Sequence, residues 1–277
     1  MPGRFEGKVV VVTGAARGQG RSHAVRFAEE GADVIAVDVC AQVATAPYPL
    51  AAADDLAQTV KEVRATGRRV VAAEADTRDF PALKAAIDRG AEELGRLDVV
   101  VANAAIVSFG SLLDLPEETW RDVVDINLTG AWHTVKAAVP HLVAGGRGGA
   151  VVLTSSAAGL RAYPGLGHYV AAKHGLVGLM KTLAIELGPH SIRVNSVHPT
   201  QVDTPMLQND AVYSAFLPGT ENPGKNDFAP VSQSMHALPV PWVEAQDVSG
   251  AVLYLASAEA RYVTGAALPV DAGTLLV

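Results

Sequence analysis

The stretch KVVVVTGAARGQG, residues 8–20, passes from four consecutive valines into a turn with glycines at positions 14, 18 and 20. The valines predict a β-strand that is buried on both faces, as the strands of a parallel sheet are. The turn predicts the start of a helix whose free backbone N–H groups bind a pyrophosphate. Because the spacing is Gly-x-x-x-Gly-x-Gly and not the commoner Gly-x-Gly-x-x-Gly, a tight turn that needs glycine only for steric reasons stays open as the alternative.

Six further short, apolar segments repeat this strand pattern along the chain. They are residues 32–38, 68–76, 97–105, 149–156, 191–199 and 267–273. Helical periodicity lies between them, for example at 116–136, where Pro116 precedes two glutamates that suit a first helical turn. The alternation predicts one domain, residues 1–277, with an α/β fold: a Rossmann-type, doubly wound parallel sheet of about seven strands with helices on both faces.

The composition limits the class of protein. The chain has 277 residues, of which 49% are hydrophobic, a net charge of −7 and a single cysteine, Cys40. Without a basic stripe we expect no nucleic-acid partner, and without a long apolar run we expect no membrane partner. The single cysteine excludes an internal disulfide, and residues 1–14 do not resemble a signal peptide, so we expect a cytoplasmic protein. No metal site is predicted.

An acidic residue after the second strand suggests which dinucleotide would bind. Asp38 lies 18 residues beyond Gly20, where a carboxylate accepts hydrogen bonds from the adenosine ribose and repels a 2′-phosphate. This position favours NAD over NADP, although Asp38 could instead cap a turn or a helix. Arg17 could pair with a 2′-phosphate and favours NADP. Asp76, which closes the third strand, could meet the adenine edge or cap the next element.

Two segments are longer than a minimal fold of this kind needs. Residues 39–55 lengthen the connection after Asp38, and we expect them to form an insert near the adenosine end of the site. Residues 203–243 contain six prolines and little periodicity, which predicts a substrate-binding lid. An apolar substrate is expected from the large side chains of this lid, which are Met206, Leu207, Phe216, Leu217, Phe228 and Met235.

A tyrosine and a lysine share one face of a predicted helix. In GHYVAAKHG, residues 167–175, Tyr169 and Lys173 are four positions apart. An isolated tyrosine has a pKa of about 10 and is a weak base at neutral pH. A nearby ammonium and the positive charge of an oxidised nicotinamide would favour the phenolate and make Tyr169 a general base toward an alcohol. An ordinary solvated pair, or a helix–helix contact, is the alternative.

Two polar residues support the catalytic interpretation of this pair. Ser156 ends the fifth predicted strand, and ligands of an open parallel sheet bind beyond the carboxyl ends of its strands. Asn127 lies in the apolar stripe of its helix, where a buried amide needs hydrogen-bond partners. A structural amide that ties backbone groups together is the other interpretation of Asn127, and the two roles are compatible.

These motifs, in their order and spacing, resemble the short-chain dehydrogenase/reductase family over nearly the whole chain. The motifs are TGAARGQG (13–20), Asn103-Ala104, Asn127, Ser156, YVAAK (169–173), HPTQVDTPM (198–206) and YVTGAALPVDAG (262–273). The resemblance implies hydride transfer between NAD(P) and an alcohol or carbonyl carbon. It implies that Tyr169 is the acid/base and that Ser156 positions the substrate oxygen. It also implies that Lys173 binds the nicotinamide ribose and lowers the tyrosine pKa, while Asn127 holds a water of the proton relay.

The resemblance also implies a set of cofactor contacts. Ala105 departs from the family pattern, which commonly has glycine there, and its methyl group would tighten the cofactor floor. Carried over by position, the predicted cofactor-binding residues are Gly14, Arg17, Gly18, Gln19, Gly20, Asp38, Val39, Asp76, Thr77, Asn103, Ala104, Ala105, Tyr169, Lys173, Pro199, Val202 and Thr204.

Three segments of the chain resemble one branch of the family in particular. Asp38-Val39-Cys40, the insert sequence at 44–60 and GLRAYPGLGHYVAAKHG (159–175) resemble the mycofactocin-associated branch, which includes carveol dehydrogenase-like enzymes. That branch implies NAD that is held tightly and reoxidised in place by a redox partner, mycofactocin. A surface loop without consequence is the alternative for the insert. The family also implies a homotetramer, and the helix at 169–187 is apolar around most of its circumference, which agrees with burial between subunits.

Three functions follow as hypotheses. The first is an NAD-dependent dehydrogenase of an apolar secondary alcohol, such as a terpenoid or a steroid-like alcohol. The second is an NADPH-dependent carbonyl reductase with a freely exchanging cofactor, which Arg17 favours and Asp38 opposes. The third is a non-catalytic, nucleotide-sensing regulator, which would have no need of both Tyr169 and Lys173.

Overall fold

A seven-stranded parallel sheet forms the centre of the computed structural model, which describes residues 3–277. The strands are β1 (Val9–Thr13), β2 (Asp33–Asp38), β3 (Val70–Glu74), β4 (Val99–Ala102), β5 (Gly149–Thr154), β6 (Ile192–Pro199) and β7 (Ala267–Val270). Their order across the sheet is β3-β2-β1-β4-β5-β6-β7, and all neighbours are parallel. The predicted doubly wound sheet is therefore confirmed.

Helices cover both faces of the sheet. Within residues 3–277 they are α1 (Gly18–Glu29), α2 (Ala53–Ala65), α3 (Phe80–Leu94), α4 (Glu117–Val124), α5 (Gly130–Gly145), α6 (Gly167–Leu187), α7 (Asp210–Phe216), α8 (Lys225–Ser234) and α9 (Ala245–Ala256). Short 3₁₀ turns lie at Ala157–Gly159, Gly188–His190, Ala258–Ala260 and Thr274–Leu276. One apolar core lies between the sheet and α1, α2 and α9, and the other lies between the sheet and α3, α5 and α6. No helix among these is both long and apolar enough to cross a bilayer.

The sheet order reverses beside β1, and this reversal creates the crevice in which ligands of such folds bind. The glycine turn follows β1 at this point. A side chain at Gly20 would meet the Gly14 carbonyl oxygen at 1.9 Å, and Gly14 itself has a φ of +67°. Sterics therefore require both glycines, and the compact turn brings the first N–H groups of α1 to the crevice. A steric need for glycine and a role in binding a pyrophosphate are therefore compatible with each other in this turn.

The helix predicted at 116–136 is interrupted. α4 ends at Val124, a π-helical turn occupies Asp125–Thr129, and α5 continues to Gly145. Such a turn inserts an extra residue into a helix and is common at functional sites. Here it contains Asn127, whose side chain bonds the backbone of Ile106, in the segment after β4, and not its own helix.

The segment 203–243 is less irregular than we expected, since it contains α7 and α8. Both helices are short, and a proline lies inside α8 at Pro230, which explains why periodicity did not predict them. Their apolar side chains face each other more than they face the sheet. They form a separate cluster, called here the lid cluster, which consists of Val212, Tyr213 and Phe228 with Phe109, Leu207, Phe216, Leu217 and Trp242 around them.

Candidate active site

A crevice at the carboxyl ends of β1, β2 and β4 brings together most of the predicted cofactor positions. Its lining includes Gly14, Arg17, Gly18, Gln19, Gly20, Asp38, Val39, Asp76, Thr77, Asn103, Ala104, Ala105, Tyr169, Lys173 and Thr204. Pro199 and Val202 line the adjoining cavity instead. No side chain caps the first turn of α1, so its N–H groups are available to an anion at the glycine turn.

Asp38 holds the glycine turn and the start of the insert together. Its Oδ2 accepts the Ala16 N–H at 2.9 Å, and its Oδ1 accepts the Cys40 N–H at 3.2 Å. The carboxylate is nearly buried and lines the crevice, so its charge would oppose a 2′-phosphate there. Arg17 is turned toward the insert, because its Nη2 donates to the Pro49 carbonyl at 2.6 Å.

Asp76 belongs to a small charged network at the same end of the crevice. Arg78 donates to Asp76 at 2.7 Å and to Asp122 of α4 at 2.7 Å, and Asp122 also accepts the Thr45 hydroxyl at 2.7 Å. Burial acts to raise the pKa of Asp76, but the hydrogen bonds from Arg78 outweigh it and hold the pKa below its ordinary value. Asp76 does not cap α3, since Asp79 does so by accepting the Ala82 N–H. Arg78 was not predicted, because no motif marks it.

The insert lines the crevice with Val39, Val43, Tyr48, Leu50 and Ala51, and its apolar packing reaches Tyr169. Its predicted position near the adenosine end stays a prediction. Gln42 ties the insert to itself: its Nε2 donates to carbonyls of the insert, and its Oε1 accepts the Leu50 N–H at 2.9 Å. Its buried apolar residues pack on the segment after β4 and on α4 and the π-helical turn. The residues in this contact are Val43, Ala46, Ile106, Val123 and Ile126, with Leu50 and Tyr169 at the edge.

Tyr169 and Lys173 lie near the start of α6, where β5 ends. Lys173 is buried, and its Nζ donates to the Thr154 carbonyl at 2.8 Å and lies 5.5 Å from the centre of the Tyr169 ring. The Ser155 hydroxyl donates to the Lys173 carbonyl at 3.0 Å, which joins the end of β5 to α6. The predicted pair therefore shares one site and is not a solvated pair.

The pKa of both residues is displaced by burial. Burial raises the pKa of Tyr169 to about 12, although the hydrogen bond with the Ser156 hydroxyl acts to lower it. Burial lowers the pKa of Lys173 to about 7. The protein's own residues thus raise the tyrosine pKa, because burial outweighs the lowering effect of the Ser156 hydroxyl. The lowering predicted for the loaded site needs the additional charge of an oxidised nicotinamide and stays a prediction.

Three side chains from different elements hold the segment that follows β4, residues 106–108. Asn127 accepts the Ile106 N–H and donates to the Ile106 carbonyl, both at 2.8 Å. The Tyr48 hydroxyl accepts the Val107 N–H at 3.1 Å, and the hydroxyl of Ser108 lies 2.7 Å from Nε2 of His168. The structural role of Asn127 is confirmed by these bonds, and its role in a proton relay stays a prediction. Tyr48, Ser108 and His168 were not predicted, because each partner is about 60 residues away and no local pattern marks them.

A second, largely apolar cavity joins the crevice at Tyr169. Both are lined by Gln19, Ser155, Tyr169, Thr204 and Met206. The apolar wall of the second cavity includes Val107, Phe109, Leu166, Met206, Leu207, Val212, Phe216 and Met235, and its polar lining includes Ser156 and Tyr163. Of the predicted lid residues, Leu217 and Phe228 do not reach it, since Phe228 is fully buried inside the lid cluster. The arrangement suits an apolar molecule with one polar group beside Ser156 and Tyr169.

Residues 8–212 match the short chain dehydrogenase family. The chain is a short-chain dehydrogenase/reductase. This membership makes it an oxidoreductase, and it confirms the family resemblance drawn from the glycine turn, Asn127, Ser156 and the YVAAK motif.

This short-chain dehydrogenase/reductase is similar to carveol dehydrogenases along its whole length. It is 59% identical to (−)-trans-carveol dehydrogenase of Rhodococcus erythropolis over 99% of both chains. The crystal structure of carveol dehydrogenase from Mycobacterium avium in complex with NAD is also 59% identical. It superimposes with a TM-score of 0.98 over 99% of this chain and 100% of that one. A short chain dehydrogenase from Mycobacterium paratuberculosis bound to NAD is 47% identical, with a TM-score of 0.92 over 99% and 100% of the two chains.

Proposed function

We propose that this chain is an NAD-dependent oxidoreductase that interconverts an apolar secondary alcohol and its ketone by hydride transfer. The observation that carries the proposal is the junction at Tyr169. This tyrosine lines both the crevice with the glycine turn and the apolar cavity with Ser156, while Lys173 lies behind it in the crevice. Asp38 supports NAD, and the two similar structures that contain NAD support it as well.

The residues divide the chemistry between them. NAD, when bound, accepts the hydride that leaves the alcohol carbon. The Ser156 hydroxyl holds the substrate oxygen, and the Tyr169 phenolate takes the proton from that oxygen as the carbonyl forms. Lys173 favours the phenolate by its charge and binds the nicotinamide ribose, while the glycine turn binds the pyrophosphate. In the reverse direction the protonated tyrosine donates its proton to the forming alcohol.

The proposed substrate is a cyclic, terpenoid-like alcohol of the size of carveol. The wall of the second cavity supports this class, because Phe109, Phe216 and Met206 offer apolar contacts while Ser156 and Tyr169 offer hydrogen bonds to one oxygen. The similarity to (−)-trans-carveol dehydrogenase supports it independently. A steroid-like alcohol is the larger alternative, and a series of cyclic alcohols of increasing size would distinguish the two.

We further propose that NAD stays bound between turnovers and is reoxidised in place by mycofactocin. The insert supports retention, since it lies over the crevice and is attached by Thr45 to α4, by Pro49 to Arg17 and by Tyr48 to Val107. Purified protein should then contain NAD and oxidise alcohols only with an artificial electron acceptor. Rapid exchange with free NAD would contradict retention while leaving the proposed alcohol oxidation intact.

Removing one attachment of the insert should release the cofactor faster. In Thr45→Val the side chain keeps its shape but loses the hydrogen bond to Asp122, and we expect the release rate of NAD to rise roughly fivefold. Thr66→Val is the matched control, because its hydroxyl bonds the Val63 carbonyl at the end of α2, away from the crevice. The rates are measured by dilution into NAD labelled with a heavy isotope and by mass spectrometry of the intact complex. Equal release rates in wild type and Thr45→Val would contradict a retaining role for this bond.

The pH dependence should differ between the two directions of the reaction. Alcohol oxidation needs the Tyr169 phenolate, so its rate should rise roughly tenfold per pH unit below the tyrosine pKa of the loaded site. Ketone reduction needs the protonated tyrosine, and burial raises the pKa of Tyr169 to about 12 when no pyridinium charge is present. The reduction rate should therefore show no such rise between pH 7 and 9. Single-turnover rates measured in both directions test this, and parallel profiles would contradict the role of Tyr169.

We also propose a homotetramer. Ile185 on α6 is 79% exposed and Trp132 on α5 is 41% exposed in a single chain, which supports burial of these helices between subunits. The mass in solution, measured by light scattering, tests the proposal.

A further inference from the structure

The wall that separates the cofactor crevice from the apolar cavity is the segment at 106–108 with its neighbour Phe109. Its residues alternate in direction: Ile106 lines the crevice, Val107 and Phe109 line the cavity, and Ser108 contacts His168. Phe109 also meets Phe216 of the lid edge-on, with 6.3 Å between the ring centres. The position of this backbone therefore determines the shape of both spaces at once.

Each residue of this wall has a different support. Ile106 is held by Asn127 from the π-helical turn, and Ser108 is held by His168, which immediately precedes Tyr169 on α6. Val107 is held by the insert, through the Tyr48 hydroxyl at 3.1 Å. The insert thus contacts the wall of the apolar cavity, through Val107, as well as lining the crevice.

The Tyr48 ring is itself firmly placed. Tyr48 is 3% exposed, and its carbonyl accepts a hydrogen bond from the Gln42 side chain that ties the insert together. Val107 is 8% exposed, so its N–H group has little access to water if the tyrosine oxygen is removed. A buried donor without a partner is costly, and the backbone is expected to move in order to find one.

We infer that Tyr48 is a positioning residue for the alcohol: a side chain of the cofactor-side insert that sets the substrate-side wall through Val107. Tyr48 lines the cofactor crevice, as Tyr169 does, and it reaches the substrate cavity only through Val107. We expect loss of its hydroxyl to act on how the alcohol is seated, and the split between KM and kcat separates this from an effect on proton transfer. A loose wall admits more orientations of a cyclic alcohol. We therefore expect weaker binding of the alcohol and poorer discrimination between its enantiomers. This inference rests on the proposed alcohol oxidation.

Tyr48→Phe removes the oxygen and leaves the ring in place. With (−)-trans-carveol and its enantiomer as probes, and an artificial electron acceptor in the assay, we expect KM to rise roughly tenfold. We also expect the ratio of kcat/KM for the two enantiomers to move toward one, while kcat for the better enantiomer changes less than threefold. A drop in kcat with unchanged KM would overturn the inference, because it would place Tyr48 in the chemical step.

Thr264→Val is the matched control. The Thr264 hydroxyl accepts the N–H of Val194 at 3.1 Å, which is the same kind of bond to a buried backbone donor, but in β6 and away from both cavities. This variant should lose thermal stability much as Tyr48→Phe does, with KM and the enantiomer ratio unchanged. Equal changes of KM in both variants would show that general loosening is responsible and would overturn the inference.

Hydrogen–deuterium exchange gives a readout that does not depend on turnover. The Val107 amide should exchange faster in Tyr48→Phe than in wild type or in Thr264→Val. Unchanged exchange there overturns the inference even when wild type oxidises carveol. Faster exchange with no alcohol oxidised by wild type supports the tie to Val107 and refutes the proposed function instead.

Discussion

Replacing Tyr169 with phenylalanine is expected to reduce alcohol oxidation roughly 10²–10⁴-fold, the range typical for loss of a general acid–base group. The substitution removes only the hydroxyl, and the ring keeps its contacts at the junction of the crevice and the apolar cavity. Ser156 and Lys173 remain, so the substrate oxygen and the nicotinamide ribose keep the partners proposed for them, and the alcohol KM should change far less than kcat. Steady-state kinetics with a cyclic secondary alcohol provide the measurement.

The control for Tyr169→Phe must separate lost chemistry from lost folding. Tyr254→Phe removes a hydroxyl from a partly exposed position on α9, far from both cavities, and should retain full activity. Both variants should unfold at nearly the wild-type temperature. If Tyr169→Phe turned over alcohols at the wild-type rate, Tyr169 would not be the base. If it lost activity only together with its fold, the role would be structural.

The sheet was predictable because a buried parallel strand has few alternative interpretations. β1 and β2 are buried along their whole length, and their apolar runs end at turn residues. The ends of strands were less predictable: the segment 97–105 continues as a strand only to Ala102. The chain leaves the sheet at Asn103, whose N–H donates to the Thr13 hydroxyl and whose side-chain amide donates to the Thr13 carbonyl. Asn127, Tyr48 and His168 then hold the wall at 106–108.

The interruption of the long helix shows a different limit. Apolar residues recur through 116–136 with helical spacing, and a π-helical turn changes that spacing by a single residue at Asp125–Thr129. Periodicity cannot detect so small a change. The two helices within 203–243 were missed for a related reason, since α7 has only seven residues and Pro230 interrupts the pattern of α8.

The proposed catalytic residues were predictable, because they belong to a sequence motif. The residues that hold the insert and the wall in place were not. Tyr169 and Lys173 are four residues apart on one helix, so local spacing was sufficient to bring them together. The bonds of Thr45 to Asp122 and of Tyr48 to Val107 join residues 77 and 59 positions apart. Nothing in the local sequence specifies such partners. The direction of the shift in the tyrosine pKa also depended on burial, which in the protein alone outweighs the lowering effect of the Ser156 hydroxyl.

Exchanging Asp38 for asparagine is the second change with a large expected effect. The carboxylate accepts the N–H groups of Ala16 and Cys40, and an asparagine amide can accept only one of them, so a modest loss of stability of about 1 kcal/mol is expected. The main effect is on the cofactor. Without the charge, the ribose hydroxyls of NAD lose charge-assisted acceptors, and the repulsion of a 2′-phosphate disappears.

We therefore expect the dissociation constant for NADH to rise about tenfold and that for NADPH to fall about tenfold, which changes the preference roughly 100-fold. Fluorescence titration of cofactor-free protein with each reduced dinucleotide measures both constants. Glu74→Gln is the control, because Glu74 pairs with Asp38 in the register of β2 and β3 but is exposed and does not line the crevice. Equal shifts of the two dissociation constants in both variants would show that the effect comes from the change in net charge alone. Tighter binding of NADPH than NADH by wild type would favour the carbonyl-reductase hypothesis, since Arg17 and not Asp38 would then determine the choice of cofactor.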